Sequence, residues 1–479
     1  MHNSKGNGSS QPQSLVSVCP AGEVFQLPHG KDYDKEFKRL QLLVDEQRSM
    51  GREIVVVMGV GFVGAEKTLI ATFTYEALSL ADVVIVDVQC DYYKEKFGNV
   101  RQGRADIVAL EASLKIIGEK IKPECLVLIE TTVPPGTTEY VAYPIMKKAF
   151  EKRGLKDCEP LLAHSFERVM PGRNYVASVR DFWRVCSGIN QIAKERVRKF
   201  LSEILNVEKY PLTVLDRPIE SETCKIVENS YRATILAFLD EWSVFAERNG
   251  VDLIKVIDAI KFRPTHSNMI FPGPGIGGYC LPKDGGLGVW AYHTLMGFED
   301  DVFKITPAAI DINDTRALRV PQQVRDALRN MGKIVAASKI VLLGAAYREG
   351  VGDTRYSGSE TIVRKLAEMG AEIAVADPYV KHWWELEKQN SYPAPDHSMK
   401  QFFRNQEKLD ETRVRKDLSE VLPFADAVIF AVRHKEYLEL DPDEVVAMIG
   451  RPAAIVDCFG ILDDKKIRRY FELDCEVKG

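Results

Sequence analysis

Residues 51–64 read GREIVVVMGVGFVG and carry the strongest local signal for a fold. The run Ile54 to Met58 is apolar and rich in valine, which predicts a buried β-strand. Glycines 59, 61 and 64 follow this strand directly. Such glycines let the backbone turn tightly and approach a pyrophosphate at the N-terminus of the next helix. The motif favours dinucleotide binding, and the alternative is a plain tight turn that packs a helix on a strand.

Strand and helix patterns alternate along the rest of the chain. The other predicted strands are Val83 to Val86, Leu126 to Ile129, Leu161 to Ala163, Lys339 to Gly344, Glu372 to Pro378, Ala427 to Val432 and Ala454 to Cys458. One long helical pattern, Glu220 to about Gly250, separates the two groups. The alternation predicts an α/β fold with parallel sheets. We expect an N-terminal extension (1–50, flexible to about residue 30 and then helical), a Rossmann-like domain (51–215), a central helical domain (216–330) and a C-terminal α/β domain (331–479).

The composition argues against several classes of function. Of the 479 residues 28% are charged, the formal net charge is -5, and the two signs are interspersed, so we expect no nucleic-acid partner. No apolar run approaches the ~20 residues that span a bilayer, and the polar start does not resemble a signal peptide. We therefore expect no membrane association and a cytoplasmic location. The nine cysteines show neither C-x-x-C pairs nor zinc-site spacing, which predicts reduced thiols and no metal site.

A glycine-rich loop that ends in a cysteine is the most informative segment for chemistry. Residues 273–284 read GPGIGGYCLPKD. Glycines leave space and backbone N–H donors around the thiol of Cys280, as a nucleophile and an oxyanion require. The alternative is a glycine-rich surface turn with an incidental cysteine. We interpret Cys280 as a catalytic nucleophile.

Polar residues follow two predicted strands and also occupy one face of the long helix. Residues 130–138 (ETTVPPGTT) and 164–168 (HSFER) each follow a strand, where ligands of open α/β sheets gather. Either segment alone could be a simple turn or a cap. Lys225 and Asn229 are four positions apart, so they share one helix face and can point at one substrate oxygen. Glu222 is expected to form an ion pair that orders Lys225.

Together these motifs resemble the UDP-glucose/GDP-mannose dehydrogenase family, from about Arg52 to about Glu472. The matching segments are GVGFVG (59–64), TTVPPGTT (131–138), FERVMPG (166–172), ETCKIVENSYRA (222–233), GPGIGGYCLPKD (273–284) and GAAYREGVGDTRYS (344–357). The resemblance implies an NAD domain, a central long-helix dimerisation domain, a C-terminal nucleotide-sugar-binding domain and a homodimer.

The resemblance also implies roles for individual residues. Cys280 is then the nucleophile, Lys225 and Asn229 stabilise oxyanions, and Asp284 orients Lys225 or a water. Glu167 and Thr132 place the hydrolytic water. The implied NAD contacts are Gly59, Gly61, Phe62, Val63, Gly64, Thr132 and Arg355. The implied substrate contacts are Glu167, Arg168, Lys225, Asn229, Arg263, Gly277, Tyr347 and Arg348, with Arg263 similar to an arginine that some members donate across the dimer.

The implied reaction is a four-electron oxidation of the primary alcohol of a nucleotide sugar to a carboxylate, with NAD as the oxidant. Cys280 captures the aldehyde as a thiohemiacetal, and a second oxidation gives a thioester. Water, assisted by Glu167 or Asp284, hydrolyses the thioester. The Pro-Gly-Pro-Gly run at 272–275 and the FERVMPG form are closer to members that use UDP-N-acetylhexosamines, while UDP-glucose and GDP-mannose stay open.

The first domain departs from the family pattern. Gly64 and Val83 are only 19 positions apart, and residues 74–89 (TYEALSLADVVIVDVQ) resemble what the family places before a later strand. By this comparison the second strand with its ribose-binding acid, a helix and the third strand are missing. Asp87, 28 positions beyond Gly59, is then not the ribose acid. The alternative is a compact βαβ unit in which Asp87 meets the ribose. Smaller departures are Phe166, where many members have proline, and Gly350.

Two other functions compete with the dehydrogenase. The first is a catalytically impaired nucleotide-sugar-binding homologue that lacks part of the NAD site. The second is a hydroxyacid dehydrogenase of the 6-phosphogluconate type, which shares a Rossmann domain and a long central helix. Cys280 and the third α/β domain argue against the second, because oxidation of an alcohol to a ketone needs no thiol.

Overall fold

The computed structural model describes residues 16–18, 24–26, 30–59, 76–169, 175–387 and 398–479. The N-terminal extension forms a two-stranded antiparallel sheet, β1 (Val16–Val18) and β2 (Val24–Gln26), followed by the helix α1 (Gly30–Ser49). The helix was predicted, whereas the strand pair lies in the segment expected to be flexible. Arg48 near the end of α1 donates to the Leu80 carbonyl (2.6 Å) and to Asp82 (2.8 Å), which ties the extension to the first domain.

The first domain is an α/β sheet with one additional hairpin. Its strands are β3 (Val55–Met58), β4 (Val83–Val86), β5 (Asp91–Lys96), β6 (Asn99–Asp106), β7 (Leu126–Ile129), β8 (Leu161–His164), β9 (Val185–Gly188) and β10 (Thr213–Val214). Its helices are α2 (Val108–Lys120), α3 (Tyr143–Lys152), α4 (Tyr175–Arg180) and α5 (Gln191–Ile204). The sheet order is β10-β9-β8-β7-β4-β3, and all neighbours are parallel except β8 and β9. β4 and β7 are buried along their whole length, as parallel strands covered on both faces are.

Among the described residues, β3 lies at the edge of the sheet, without the usual reversal of strand order around the first strand. β4 pairs with β3 on one side and with β7 on the other. Within the described ranges no strand pairs with the free edge of β3, and residues 60–75 lie outside those ranges. This arrangement agrees with the interpretation that Val83 to Val86 corresponds to a later strand of the family's domain.

The hairpin β5–β6 was not predicted, and it reaches from the first domain onto the central helices. Lys94 forms an ion pair with Asp314, in which both side chains are more than nine-tenths buried. The backbone N–H of Val100 donates to Asp311 at 2.6 Å. The hairpin therefore packs against a helix more than 200 residues away in sequence.

The central domain is built around one long helix, as predicted. α6 (Pro218–Asn249) has 32 residues and ends at Gly250, which adopts the left-handed conformation that glycine allows at helix ends. The other helices of the domain are α7 (Leu253–Lys261), α8 (Asp284–Trp290), α9 (Ile305–Arg316) and α10 (Arg319–Asn330).

The C-terminal domain is a doubly wound parallel sheet. Its strands are β11 (Lys339–Leu343), β12 (Glu372–Ala376), β13 (Val414–Arg415), β14 (Ala427–Phe430), β15 (Ala454–Asp457) and β16 (Glu476–Lys478). Its helices are α11 (Gly358–Glu368), α12 (Lys435–Leu438), α13 (Pro442–Ile449) and α14 (Asp464–Glu472). The order β13-β12-β11-β14-β15-β16 reverses between β11 and β14. Ligands of such sheets bind at this reversal, beyond the carboxyl ends of the strands.

Short helical turns complete the structure. The 3-10 turns are Ala77–Leu80, Pro264–His266, Met399–Phe402, Glu407–Glu411 and Leu418–Glu420, and the π turns are Thr138–Ala142 and Ala291–Leu295. None of the helices in the described part of the chain is long and apolar enough to cross a membrane. The cytoplasmic location stays a prediction.

Candidate active site

The loop that carries Cys280 leads directly into α8. The backbone N–H groups of Lys283 and Asp284 donate to the Cys280 carbonyl at 3.2 and 3.0 Å. Cys280 is therefore fixed by the turn that starts the helix, and its side chain is half-buried. This geometry presents the thiol between the helix start and the preceding glycines.

Two glycines of this loop are needed because the C-terminal domain packs against them. A Cβ on Gly277 would lie 2.4 Å from the Cβ of Tyr347, too close for any other residue. Gly278 has a φ of +80°, and its N–H donates to the Arg355 carbonyl at 2.8 Å. Tyr347 and Arg355 follow β11 at the reversal of the C-terminal sheet, so this domain borders the Cys280 loop.

The polar face of α6 meets this loop from the other side. The Asn229 side-chain amide donates to the Asp284 carboxylate at 2.6 Å. Lys225, one turn earlier, donates to the Glu167 carbonyl at 2.9 Å and lies 3.7 Å from the Glu167 carboxylate. Asp284 was expected to orient Lys225 or a water. The contact to Lys225 is made by Glu167 instead, and Asp284 holds Asn229.

Lys283 is a site residue that the sequence interpretation missed. Its ammonium donates to Asp284 at 2.9 Å and lies 4.6 Å from the centre of the Tyr279 ring, and the side chain is 1% exposed. Burial alone would lower the pKa of Lys283, but Asp284, through its charge and its hydrogen bond, acts together with the thiol groups of Cys280 and Cys90 to outweigh burial, and the pKa is raised. The lysine therefore stays charged. Its position within the segment YCLPKD was the available signal.

Four charged groups act on the thiol of Cys280. Burial raises its pKa to about 11, and the negative charges of Asp284 and Glu167 act in the same direction. Lys225 and Lys283 act in the opposite direction. The free thiol is therefore protonated at neutral pH, and the two lysines are the groups that favour its thiolate.

The segment after β8 places Glu167 and forms an aromatic support. His164 is fully buried, and its Nδ1 lies 2.7 Å from the hydroxyl of Ser221 in the first turn of α6. Phe166, also fully buried, has the Lys225 ammonium 5.4 Å and the Arg168 guanidinium 5.2 Å from its ring centre. Phe166 thus contributes cation–π contacts next to the site.

Glu222 does not have the role expected of it. It was expected to order Lys225, but its carboxylate accepts hydrogen bonds from the Gly136 N–H (2.6 Å) and from the Thr138 N–H (2.8 Å) and hydroxyl (2.6 Å). Burial raises the pKa of Glu222 to about 7. The carboxylate thus anchors the TTVPPGTT loop, which carries the half-buried Thr132, onto α6.

The C-terminal domain adds two cations to the region. Arg355 forms an ion pair with Asp353 at 2.7 Å, and its guanidinium lies 5.4 Å from the centre of the Tyr279 ring. Arg348 follows Tyr347 in the same loop and is half-buried. Both arginines lie in the loop after β11, at the edge where the strand order reverses.

Two predicted substrate residues have other contacts in the single chain. Arg168 lies 3.1 Å from Glu228 and donates to the Trp183 carbonyl at 2.8 Å. Arg263 is exposed and precedes the 3-10 turn Pro264–His266. The structure does not bring either one to Cys280, and the role of each stays a prediction.

The first glycine of the motif that follows β3 lies within the described residues. Gly59 has a φ of +102°, and a Cβ there would lie 2.7 Å from the Asp87 carbonyl oxygen, so only glycine is accepted. Gly61, Phe62, Val63 and Gly64 lie outside the described residues. The loops with Thr132 and Glu167 follow the neighbouring strands β7 and β8, so both are at the same sheet edge as this turn.

Comparison with known proteins assigns all three domains to one family. Models of the UDP-glucose/GDP-mannose dehydrogenase family match its NAD binding domain at residues 63–204, its central domain at 219–315 and its UDP binding domain at 341–464. The match of the last domain argues against the hydroxyacid dehydrogenase alternative.

Two similar proteins are named as dehydrogenases of a nucleotide sugar. The UDP-N-acetyl-D-mannosamine dehydrogenase of Methanocaldococcus jannaschii is 25% identical over 390 residues, 80% of this chain and 76% of that protein. The enzyme of that name from Pyrococcus horikoshii is 30% identical over 278 residues, 58% of this chain and 62% of that protein.

Solved structures share the fold. An NDP-N-acetyl-D-galactosaminuronic acid dehydrogenase from Methanosarcina mazei Go1 aligns with a TM-score of 0.69 at 22% identity, covering 89% of both chains. A UDP-D-ManNAc dehydrogenase from Pyrococcus horikoshii aligns with a TM-score of 0.65 at 24% identity, covering 82% of this chain and 81% of that one. The matched NAD binding domain and the dehydrogenase relatives support an active enzyme rather than the impaired homologue. The chain belongs to the UDP-glucose/GDP-mannose dehydrogenase family and is an NAD-dependent nucleotide-sugar dehydrogenase.

Proposed function

We propose that the substrate is a UDP-N-acetylhexosamine, and that its primary alcohol is oxidised to a carboxylate with Cys280 as the nucleophile. One observation carries the proposal. Lys283 and Asp284 follow Cys280 in the turn that starts α8, and Asp284 is bonded to Asn229 of α6. One helical turn earlier Lys225 is bonded to Glu167, so three separate segments bring two lysines and two carboxylates around the thiol. The relatives named for UDP-N-acetyl-D-mannosamine support the N-acetylated sugar. UDP-glucose and GDP-mannose are the alternatives that a substrate panel distinguishes.

The side chains suit the charges that this chemistry creates. Each oxidation removes a hydride and a proton from the substrate carbon and its oxygen, and bound NAD supplies the hydride acceptor. Lys225 has three N–H donors and uses one on the Glu167 carbonyl, so the others are available to a developing alkoxide. The Asn229 amide, held by Asp284, has a second N–H for the same oxygen.

Covalent capture accounts for the cysteine. The Cys280 sulfur forms a bond to the aldehyde carbon, and the thiol proton leaves to a nearby base while the carbonyl oxygen takes one up. Loss of the second hydride gives a thioester. Water then attacks the carbonyl carbon, the C–S bond breaks, and the thiol and the carboxylate are released. Glu167 and Asp284 are the two carboxylates placed to assist this water.

A cleft beside the Cys280 loop suits the nucleotide end of the substrate. It has a volume of about 960 Å³ and lies between the end of α6, the Gly273–Pro274 turn and the loop after β15. The cations along it include Lys255, Arg319, Arg433 and Lys465. Lys255 is ion-paired with Asp252 and Asp464, and Arg319 with Asp240 and Glu247, so Arg433 and Lys465 are the cations offered to an anion. Cations of this kind recognise diphosphates. The match of this part of the chain to a UDP binding domain supports the same placement.

A homodimer is supported by an apolar stripe on α6. The stripe consists of the exposed side chains Val227 (58%), Tyr231 (61%), Phe238 (47%), Trp242 (47%) and Phe245 (51%). Spacings of three, four and seven residues place them along one face of the helix. A contiguous exposed apolar face of this size indicates a protein interface, and a second copy of the chain presents the same stripe.

The nucleophile is tested by replacing Cys280 with serine. We expect Cys280→Ser to form no uronate, because an ester is not formed readily from the less nucleophilic hydroxyl, while calorimetry shows nucleotide-sugar affinity within threefold of the wild type. The matched control is Cys158→Ser, in the loop after α3, which should keep full turnover. NADH formation with a panel of UDP- and GDP-sugars identifies the substrate. Uronate formation by Cys280→Ser at the wild-type rate would exclude the covalent route.

A further inference from the structure

The phenol next to the nucleophile has contacts that the roles above do not explain. The Tyr279 hydroxyl donates to the Asp91 carboxylate and lies 3.2 Å from the Cys90 carbonyl. Asp91 is the first residue of the hairpin strand β5 and is 188 positions from Tyr279 in sequence. A side chain of the Cys280 loop is thus held by the first domain.

The hairpin gives Asp91 a fixed position. Inside it the Tyr92 hydroxyl donates to the Val100 carbonyl at 2.6 Å. Against α9, the Val100 N–H donates to Asp311, and a Cβ on Gly98 would lie 2.5 Å from the Thr315 side chain. Close packing on both sides leaves the start of β5 little freedom to move.

Two cations of the active site lie over the Tyr279 ring. The Lys283 ammonium is 4.6 Å and the Arg355 guanidinium 5.4 Å from the ring centre. The face of an aromatic ring attracts cations, and donation of the phenol proton to a carboxylate makes the ring richer in electrons. Burial, followed by the charge of Asp91, raises the pKa of Tyr279 far above its ordinary value. The phenol therefore stays protonated at neutral pH and remains a hydrogen-bond donor to Asp91.

We propose that Tyr279, held by Asp91, is a positioning residue that keeps Lys283 and Arg355 beside the Cys280 thiol. The proposal rests on the proposed function of Cys280 as the nucleophile. Tyr279 acts through the cations and not on the substrate. Lys283 favours the thiolate of Cys280. Without the ring, Lys283 is held by Asp284 alone, and displacement toward that carboxylate and away from the thiol leaves a weaker nucleophile.

The other groups that face the thiol are held independently of Tyr279. Asp284 is bonded to Asn229, and Lys225 is bonded to Glu167. A change at Tyr279 should therefore act on the thiol mainly through Lys283.

The rate of Cys280 alkylation by iodoacetamide, measured by peptide mass spectrometry from pH 7.5 to 9.5, separates positioning from simple support of the loop. In Tyr279→Leu we expect alkylation about twofold slower at each pH. Displacement of a neighbouring cation raises a thiol pKa by about half a unit, which lowers the thiolate fraction about threefold, while the more basic thiolate reacts about 1.7-fold faster. A loop that merely opened would expose the half-buried thiol and speed alkylation, the opposite sign. In the same variant kcat should fall at least about twofold, because the weaker nucleophile slows covalent capture, with KM for the nucleotide sugar within about twofold.

Milder variants and a control complete the test. Tyr279→Phe keeps the ring and should recover most of the alkylation rate and of kcat. Asp91→Asn should match Tyr279→Phe, and the double variant should be no worse than either alone, because both changes weaken one hydrogen bond. Tyr292→Phe removes a surface tyrosine–aspartate hydrogen bond of 2.7 Å and should behave as the wild type.

Faster or unchanged alkylation in folded Tyr279→Leu would overturn the proposal, as would additive effects of Tyr279→Phe and Asp91→Asn on kcat. If the wild-type protein formed no NADH with any nucleotide sugar but alkylation still slowed in Tyr279→Leu, the proposed function would fail while the positioning of the cations held.

Discussion

Replacing His164 with glutamine should make the folded protein less sensitive to acid. His164 ends β8, is 0% exposed, and contacts Ser221 at the start of α6 through Nδ1. Burial lowers the pKa of this imidazole to about 3, from an ordinary value of 6.5. Between these two pH values the unfolded chain binds a proton that the folded protein does not bind. The contribution of His164 to stability therefore decreases as the pH falls below 6.5.

The size of the effect follows from the two pKa values. At pH 5.0 the unfolded chain gains about 2 kcal/mol by protonating this histidine, and at pH 7.5 it gains almost nothing. Glu222 acts in the opposite direction. Its pKa is raised to about 7, so the stability it contributes is fully present below the unfolded value of 4.5 and is lost as the pH rises through 7. The unfolding free energy of the wild type therefore depends on pH through opposing contributions. The difference between the wild type and His164→Gln isolates the contribution of His164.

Native-state hydrogen exchange of peptides from β7 and β8 measures the unfolding free energy of this domain. His164→Gln should have a lower unfolding free energy than the wild type at pH 7.5, because a buried hydrogen bond is disturbed. The difference in unfolding free energy between the two proteins should be about 2 kcal/mol smaller at pH 5.0. The control His266→Gln changes an exposed histidine and should leave the change of unfolding free energy with pH as it is in the wild type. A difference in unfolding free energy between the wild type and His164→Gln that stays constant from pH 7.5 to 5.0 would refute the reasoning.

Four further predictions concern the anchoring carboxylate, the dimer, the cofactor and the thiol. Glu222→Ala leaves buried N–H donors unpaired, so we expect a loss of about 2–4 kcal/mol in urea unfolding and a lower kcat, and an unchanged kcat would show that the loop needs no anchor. Trp242→Glu puts a charge into the apolar stripe of α6 and should give a monomer by light scattering. If the variant is a dimer like the wild type, the interface lies elsewhere. Asp87→Ala should change NAD affinity less than about threefold in calorimetry, because Asp87 ends a strand between two others, whereas a tenfold or greater loss would identify it as the ribose acid. Asp284→Asn should speed alkylation of Cys280, because Asp284 raises the pKa of that thiol, and slower alkylation would contradict the assigned sign.

Much of the fold could be predicted because its signals are local. All eight predicted strands and the long helix appear in the structure at nearly the predicted positions, since buried strands are short apolar runs and helices repeat every 3.6 residues. The strands β9, β10, β13 and β16, the N-terminal pair β1–β2 and the hairpin β5–β6 were missed. Their residues are short, charged or mixed runs, and they become strands only because a neighbouring strand or helix is available to pair with them.

The sequence by itself determined the family, the order of the three domains and the position of the glycine-rich loop that carries Cys280. These depend on glycines, prolines and apolar runs whose conformational preferences act over a few residues. Only the tertiary structure decided which polar groups meet. Glu222 anchors a loop 84 positions away instead of pairing with its neighbour Lys225, and Asp91 holds Tyr279 across 188 positions. Such pairs depend on how separate elements pack, because a buried polar group takes the partner that packing brings within hydrogen-bond distance, whatever the spacing along the chain.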